Sequence, residues 1–351
     1  MTQTALHQRL TAGNARIGIY GGVETVLAFG DPAGELHALH SACGLFDLNW
    51  RAKIVVTGKD RVRWLNGMLT NNVRDLPLNH GNYNFLLNAQ GRILADMYVY
   101  NRGEYLLLDT DRSQLENVIK TLDHFIIMDD VELTDSSETL GAIGLCGPKA
   151  DQILEAAGIN ATGLKPLELR DLVVSNLGIS IARGPEQKPG WHEIWAGSAN
   201  IEPVWTMLEN AGAQPVGAEA LENWRILRGI PKYGQDIRER DLPQETEQHQ
   251  ALNFTKGCYI GQEIVERIRS RGQVHRKFTG FEFTGVESKD SLPAPGKIEE
   301  NGKVVAEITS VAQIPTGTAE KKIGLGYVRR ESLQPGSQVQ GATVVDLPFE
   351  I

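Results

Sequence analysis

Cys258 sits in the stretch Asn253-Phe-Thr-Lys-Gly-Cys-Tyr-Ile-Gly-Gln-Glu-Ile-Val-Glu-Arg267. Its thiol falls between Lys256 and a helix predicted to start at Gly261. A nearby ammonium and a helix N-terminus both favour thiolate. Cys258 is therefore a candidate reactive cysteine; the alternative is a small apolar residue in a strand-to-helix turn. A second candidate is Asp96, in Ile93-Leu-Ala-Asp-Met-Tyr-Val-Tyr100. Period-two geometry puts Leu94, Asp96, Tyr98 and Tyr100 on one strand face. A carboxylate on such a face needs a partner or a raised pKa. It pairs with an arginine, or it meets a flat, nitrogen-rich ligand.

Trp191-His-Glu-Ile-Trp195 repeats that arrangement, with Trp191, Glu193 and Trp195 sharing a face. A pterin offers a 2-amino group beside a ring N–H, a donor pair matched to one carboxylate, and a ring that stacks on aromatics. The alternative is a buried Glu193 paired with Arg225 or Arg228. A local basic run follows, Arg267, Arg269, Arg271, His275, Arg276 and Lys277. It either receives an anion or forms a solvated helix face with Glu263 and Arg267 paired four residues apart. His37, His40 and Cys43 follow three-residue steps that drift around a helix, and no fourth ligand is evident, so no metal site is expected.

These residues need elements to hold them. The chain has 351 residues, 41% hydrophobic and 23% charged, which fits two or three packed units. A net charge of −9 argues against general nucleic-acid binding. Three scattered cysteines without a CxxC pair fit a reducing cytoplasm. No apolar run is long enough to span a membrane.

Helices are expected over 5–16, 32–43, 112–124, 148–157, 200–212 and 217–228. Gly44 closes the second, and another opens from a Thr57/Asp60 capping pair. Strands are expected over 52–57, 83–88, 92–100, 104–109, 141–146, 171–182 and 191–196, with Gly91 in a left-handed hairpin position. No GxGxxG motif follows a strand, which disfavours a dinucleotide fold. Beyond 275, short β-rich runs separated by Pro and Gly read as a small barrel.

The chain resembles the folate-binding proteins related to the glycine-cleavage T-protein. Gly44-Leu-Phe-Asp47, Val56-Thr-Gly-Lys-Asp60, Leu69-Thr-Asn-Asn-Val73, Gly229-Ile-Pro-Lys-Tyr-Gly-Gln-Asp236 and Gly324-Leu-Gly-Tyr-Val328 carry that resemblance. Lys256-Gly-Cys-Tyr-Ile-Gly-Gln-Glu263 is similar to the hallmark of the YgfZ group, which acts in iron–sulfur protein maturation.

The resemblance implies an α+β, aminomethyltransferase-like fold. Residues 1–274 would form a folate-binding region of two intertwined subdomains, and 275–351 a C-terminal β-barrel. It implies tetrahydrofolate, or a one-carbon derivative, as cofactor. Glu193 corresponds to the carboxylate that grips the pterin. Asp96 lies where the T-protein has an acidic pair, here Ala95-Asp96, and Leu227 replaces a Glu of the T-protein motif. Tyr98, Trp195 and Arg225 join Asp96 and Glu193 as expected folate contacts. Lys256 would favour the Cys258 thiolate, Tyr259, Gln262 and Glu263 would shape its surroundings, and Arg267 or Arg271 would approach the folate tail, with Lys256, Tyr259, Gln262 and Arg267 counted among the expected cofactor-binding residues. Cys258 and Asp96 are the expected catalytic residues.

The implied function is folate-dependent support of iron–sulfur enzyme assembly or repair in the cytoplasm, with client enzymes, including tRNA-modifying ones, or assembly proteins as partners. The alternative is an aminomethyltransferase or demethylase that passes a one-carbon unit to tetrahydrofolate. Its base would be Asp96.

Overall fold

The strand Ile93–Asn101 alternates as its sequence predicts: Ile93, Ala95, Met97 and Val99 are buried, while Leu94, Asp96 and Tyr98 are half-buried on the other face. This is the pleat periodicity that presents Asp96. A computed structural model describes residues 6–10, 15–283, 295–316, 319–332, 334–339 and 341–350. The chain divides into two compact units. One comprises residues 1–84 and 96–221; the other comprises 85–95 and 222–351.

Besides the two-stranded pair Arg16–Tyr20 and Val23–Ala28, the first unit is built on two larger sheets. One has the strand order Gly81–Leu87, Ile93–Asn101, Leu106–Asp111, Arg51–Thr57, Glu132–Asp135. Its register aligns Tyr98 with Asp109, and Asp109 with Lys53. Arg51 pairs with Asp111 in the next row. The other sheet runs Leu169–Val174, Leu177–Arg183, His192–Gly197, Leu140–Cys146, Gly44–Asp47, Gln214–Pro215. Leu45, Ile143, Ile194, Ile201 and Trp205 form the core beneath it.

Several local expectations need correction. The segment 171–182 is two strands, because Ser175 and Asn176 both take positive φ and turn the chain. Paired left-handed residues match the twist of a two-residue hairpin. Part of the expected helix over 5–16 lies outside the described residues. Within the described ones it covers His7–Leu10, and Arg16–Tyr20 already pairs with Val23–Ala28 around Gly21 and Gly22. Gly44 does not close a helix: the helix ends at Ser41 and Gly44 opens a strand. A Cβ there would sit 2.5 Å from Leu39, so close packing requires the glycine. Asp60 precedes the helix Arg61–Met68 without capping it; its carboxylate accepts the Asp130 N–H instead, at 2.9 Å.

The second unit holds a six-stranded antiparallel sheet ordered Gly296–Glu300, Lys303–Thr316, Ala319–Arg329, Arg276–Phe283, Ala342–Val345, Gln338–Val339. This is the expected C-terminal β element. Its longest strand shifts register between Ile308 and Ser310, the kind of irregularity that bends a strand. Phe281, Ile308, Val328 and Val344 pack inside it. No helix among the described residues is long and apolar enough to cross a membrane.

Candidate functional site

Glu193 is held by its own strand neighbours. The Trp191 indole donates to Oε1 and the Trp195 indole to Oε2, both at 3.1 Å. Three residues on one face of a single strand thus fix the carboxylate. Each oxygen keeps a further lone pair, so the group can still accept a bidentate donor pair. No arginine is needed to hold it. Arg225 belongs to the other unit, where it donates to Glu222, to Asp236 at 2.7 Å and to Ser310 at 2.9 Å. Its buried guanidinium is part of that network, and the indoles, not Arg225, are the partners of Glu193, which corrects that expectation.

Asp96 accepts the Tyr83 hydroxyl at Oδ2, 2.6 Å away, and the Gln114 amide at Oδ1, 2.8 Å away. The Tyr83 hydroxyl is held above its ordinary pKa, first by burial and then by Asp96, so it remains a donor. An asparagine network seats Tyr83: the Asn71 amide donates to the Tyr83 carbonyl at 3.0 Å, and Asn84 accepts the Asn71 N–H at 2.9 Å. The motif Leu69-Thr-Asn-Asn-Val73 thus places the donor that orients Asp96.

Cations that sequence reading missed complete this face. Asp109 receives Arg51 Nε at 2.9 Å and lies 3.0 Å from Lys53 Nζ. Burial alone would raise the Asp109 carboxyl, but Arg51 and then Lys53 outweigh it and hold its pKa low. Lys53 Nζ lies 4.7 Å from the centre of the Trp195 ring, which joins the two sheets, and Tyr100 meets the same ring edge-on at 4.9 Å. Lys188 Nζ stands 4.4 Å from the centre of Trp191. Burial, with Arg51 as a like charge, pushes its pKa down despite Glu193. Tyr98 packs against Tyr83 with ring centres 5.0 Å apart and planes tilted by 40°, and burial pushes its hydroxyl pKa up. The available signal was period two: Arg51 and Lys53 alternate on one strand, as do Asp109 and Asp111.

The structure therefore brings Asp96, Tyr98, Glu193 and Trp195 into one unit. Trp195 is almost fully buried and serves as an orienting group for Glu193. Lys256, Cys258, Tyr259, Gln262 and Arg267 belong to the second unit.

There, Asn253 Oδ1 accepts the Thr255 and Lys256 N–H groups at 2.9 Å, an Asx-type turn. Cys258 is exposed beyond it. Lys256 is buried with its ammonium 5.1 Å from the Tyr259 ring centre. Gly261, at φ +81°, starts the helix Gln262–Arg271 against the Asn88–Gly91 hairpin; a Cβ would lie 2.6 Å from the Asn88 carbonyl.

The basic run divides. Arg276 binds Asp241, Glu245 and Glu307, Lys277 binds Glu247, and Arg269 binds Glu266. Arg267, Arg271 and His275 are exposed. Cys43 is buried beyond its helix while His37 and His40 are exposed, so these three do not converge.

The family model of the GCVT N-terminal domain matches residues 6–256. The chain belongs to that family. It is 26% identical over 348 residues to an aminomethyltransferase of Caldanaerobacter subterraneus subsp. tengcongensis, covering 97% of this chain and 91% of that one. It is 27% identical to an aminomethyltransferase of Herpetosiphon aurantiacus, covering 99% and 98%. The crystal structure of glycine cleavage system aminomethyltransferase T from Bartonella henselae superposes with a TM-score of 0.86 at 19% identity, covering 99% of this chain and 98% of that one. That likeness shows the fold, as the sequence resemblance implied. Family membership also agrees with tetrahydrofolate as the cofactor. Both curated relatives are named aminomethyltransferase and neither is named as a YgfZ-type protein.

Proposed function

We propose that this GCVT-family protein binds tetrahydrofolate at Glu193 and transfers a one-carbon unit to it from an amine donor. One observation carries this reading: Glu193 is fixed at both oxygens by indole N–H groups, in the same unit as the oriented carboxylate Asp96. The pterin donor pair fits the remaining lone pairs of Glu193, and Tyr98 supplies a flat neighbour. When bound, tetrahydrofolate supplies two amine nitrogens that take over the carbon of an aminomethyl donor, and their two protons leave with ammonia and the released carrier, so no oxidant is needed. Asp96, held by Tyr83 and Gln114, is the group that accepts a proton. Arg51 and Lys53 compensate the carboxylates around it. The names of the relatives support transfer.

Calorimetric titration with tetrahydrofolate tests the reading. Saturable binding to the wild type that weakens at least tenfold in Glu193→Ala, about 1.4 kcal/mol, supports it. No binding to the wild type sinks it.

A second reading, support of iron–sulfur enzyme assembly or repair, draws on the exposure of Cys258 in the Lys256–Glu263 segment. One thiol cannot hold a cluster alone, so partners would share the ligation. Cys258→Ser in cells should then lower the activity of iron–sulfur enzymes; unchanged activities would exclude this reading.

A further inference from the structure

A cleft on the reverse face of the sheet from Glu193 has no place in the folate reading. His192 and Glu193 are successive residues of one strand, so their side chains point to opposite faces. Arg183 is the register partner of His192 and shares its face. There the helix Ala150–Ala156, the loop over 158–164 and Arg183 line a cavity of about 700 Å³. Small-molecule sites occupy roughly 300–1,000 Å³.

The loop wall is held in place by the protein itself. Arg170 Nη1 donates to the Asn160 carbonyl at 2.9 Å and Nη2 to the Thr162 carbonyl at 3.1 Å. Asn160 Oδ1 accepts the Thr162 N–H at 3.0 Å. Three charged side chains line the cleft with bonding capacity to spare. Arg183 Nη1 bridges His192 Nε2 at 2.9 Å and Asp151 Oδ1 at 3.3 Å, which fixes the guanidinium. Its Nε and Nη2 donate to nothing among the described residues, and neither is sealed from solvent. One edge of the planar fork is therefore open. Asp151 Oδ2 and the exposed Glu155 carboxylate likewise have no partner among the described residues. Asp151 and Glu155 stand four residues apart on one helix, so they lie side by side.

We propose that this cleft binds a free α-amino acid with an apolar side chain, its carboxylate on the Nε–Nη2 edge of Arg183 and its ammonium between Asp151 and Glu155. A simple anion would meet the two carboxylates, and a simple cation would meet Arg183. A dipolar ligand satisfies both through charge-assisted hydrogen bonds. Asp151 already touches Arg183, so the acceptors for the ammonium stand beside the donors for the carboxylate, as two ends joined through a single carbon require. Ala161 and Leu164 are half-buried against the core and give the side chain an apolar flank. The site is separate from the Asp96–Glu193 face and does not depend on the folate reading.

The test is calorimetry of the full-length chain with L-leucine, L-leucinamide and 4-methylpentanoate. The amide lacks the carboxylate, and the deaminated acid lacks the ammonium. The wild type should bind leucine saturably and about tenfold or more tighter than either analogue. Arg183→Met should erase the preference over the amide. Glu155→Gln should cut the preference over 4-methylpentanoate at least about threefold. Glu155 is exposed, so this variant decides the matter if Arg183→Met, which also loses the His192 bond, fails to fold. Glu193→Ala should leave leucine affinity within about twofold of the wild type.

No saturable leucine binding below about 10 mM, an analogue that binds as well as leucine, or preferences that survive in every folded variant would overturn the inference. So would loss of leucine binding in Glu193→Ala, which would move the amino acid to the opposite face of the sheet. Leucine binding with both preferences, in a chain that does not bind tetrahydrofolate, would keep this site and sink the folate reading. Tetrahydrofolate binding without leucine binding would do the reverse.

Discussion

The Tyr83 hydroxyl donates to Asp96 Oδ2 at 2.6 Å. This bond crosses a hairpin, from the strand Gly81–Leu87 to the strand Ile93–Asn101. It leaves Gln114 as the second donor to the same carboxylate. Tyr83→Phe keeps the ring packed on Tyr98 and removes only the donor. A hydrogen bond to a charged group contributes about 1.5–3 kcal/mol, and Gln114 limits the loss to the lower end. The variant should lose about 1.5 kcal/mol of stability in denaturant titration. Any folate-dependent transfer should fall more than tetrahydrofolate affinity does. Unchanged turnover in a properly folded variant would show that the orientation of Asp96 is unimportant.

His192 gives a pH signature on the opposite face from Glu193. Its ring is fully buried, with Arg183 Nη1 donating to Nε2 at 2.9 Å. Burial, and then the Arg183 charge, push its pKa from 6.5 down to about 4. The unfolded chain therefore binds a proton on this residue more readily than the folded one. Its contribution to stability is complete above about pH 6.5, falls as pH drops towards about 4, and changes no further below that. The total is on the order of 3 kcal/mol. Stability measured across that window should decline in the wild type and decline less in His192→Gln. Parallel profiles would refute the assignment.

Part of this site was legible in the sequence because strand periodicity is local. Alternation alone placed Trp191, Glu193 and Trp195 on one face, and the two indole bonds follow from that placement. It also placed Asp96 beside Tyr98. The role of Arg51 and Lys53 was not legible, because their meaning depends on Asp109, more than fifty residues away on a paired strand. As a partner for Glu193, Arg225 misled because its bonds go instead to Glu222 and Asp236 nearby in sequence and to the distant Ser310. The first hairpin was missed because no element was expected between the helices over 5–16 and 32–43, although Gly21-Gly22 supplies its turn.

The cysteines should separate cleanly by reactivity. Cys43 and Cys146 are buried, and burial pushes the Cys43 thiol up to about 12. Cys258 is exposed. A chromogenic disulfide reagent should therefore titrate one thiol in the native protein and all three in denaturant. Cys258→Ser should abolish the native signal and leave tetrahydrofolate affinity unchanged. Fast reaction at a second native thiol would contradict the packing around Cys43 or Cys146.

Gly144 supports the site without belonging to it. It pairs with Glu193 on one side and Phe46 on the other. A Cβ at this position would fall 2.1 Å from the Phe46 ring. Phe46 is fully buried and its ring centre lies 4.6 Å from that of Trp191, so the ring has little room to yield. Gly144→Ala should push Phe46 against Trp191 and disturb the indole that holds Glu193 Oε1. Overpacking of this kind costs about 1–3 kcal/mol. The variant should melt earlier and bind tetrahydrofolate several-fold more weakly, with its far-ultraviolet circular dichroism unchanged. Gly178→Ala is the control, because a Cβ there meets nothing within 4 Å. Wild-type affinity in Gly144→Ala would mean that the Trp191 contact does not set the Glu193 geometry that the folate reading requires.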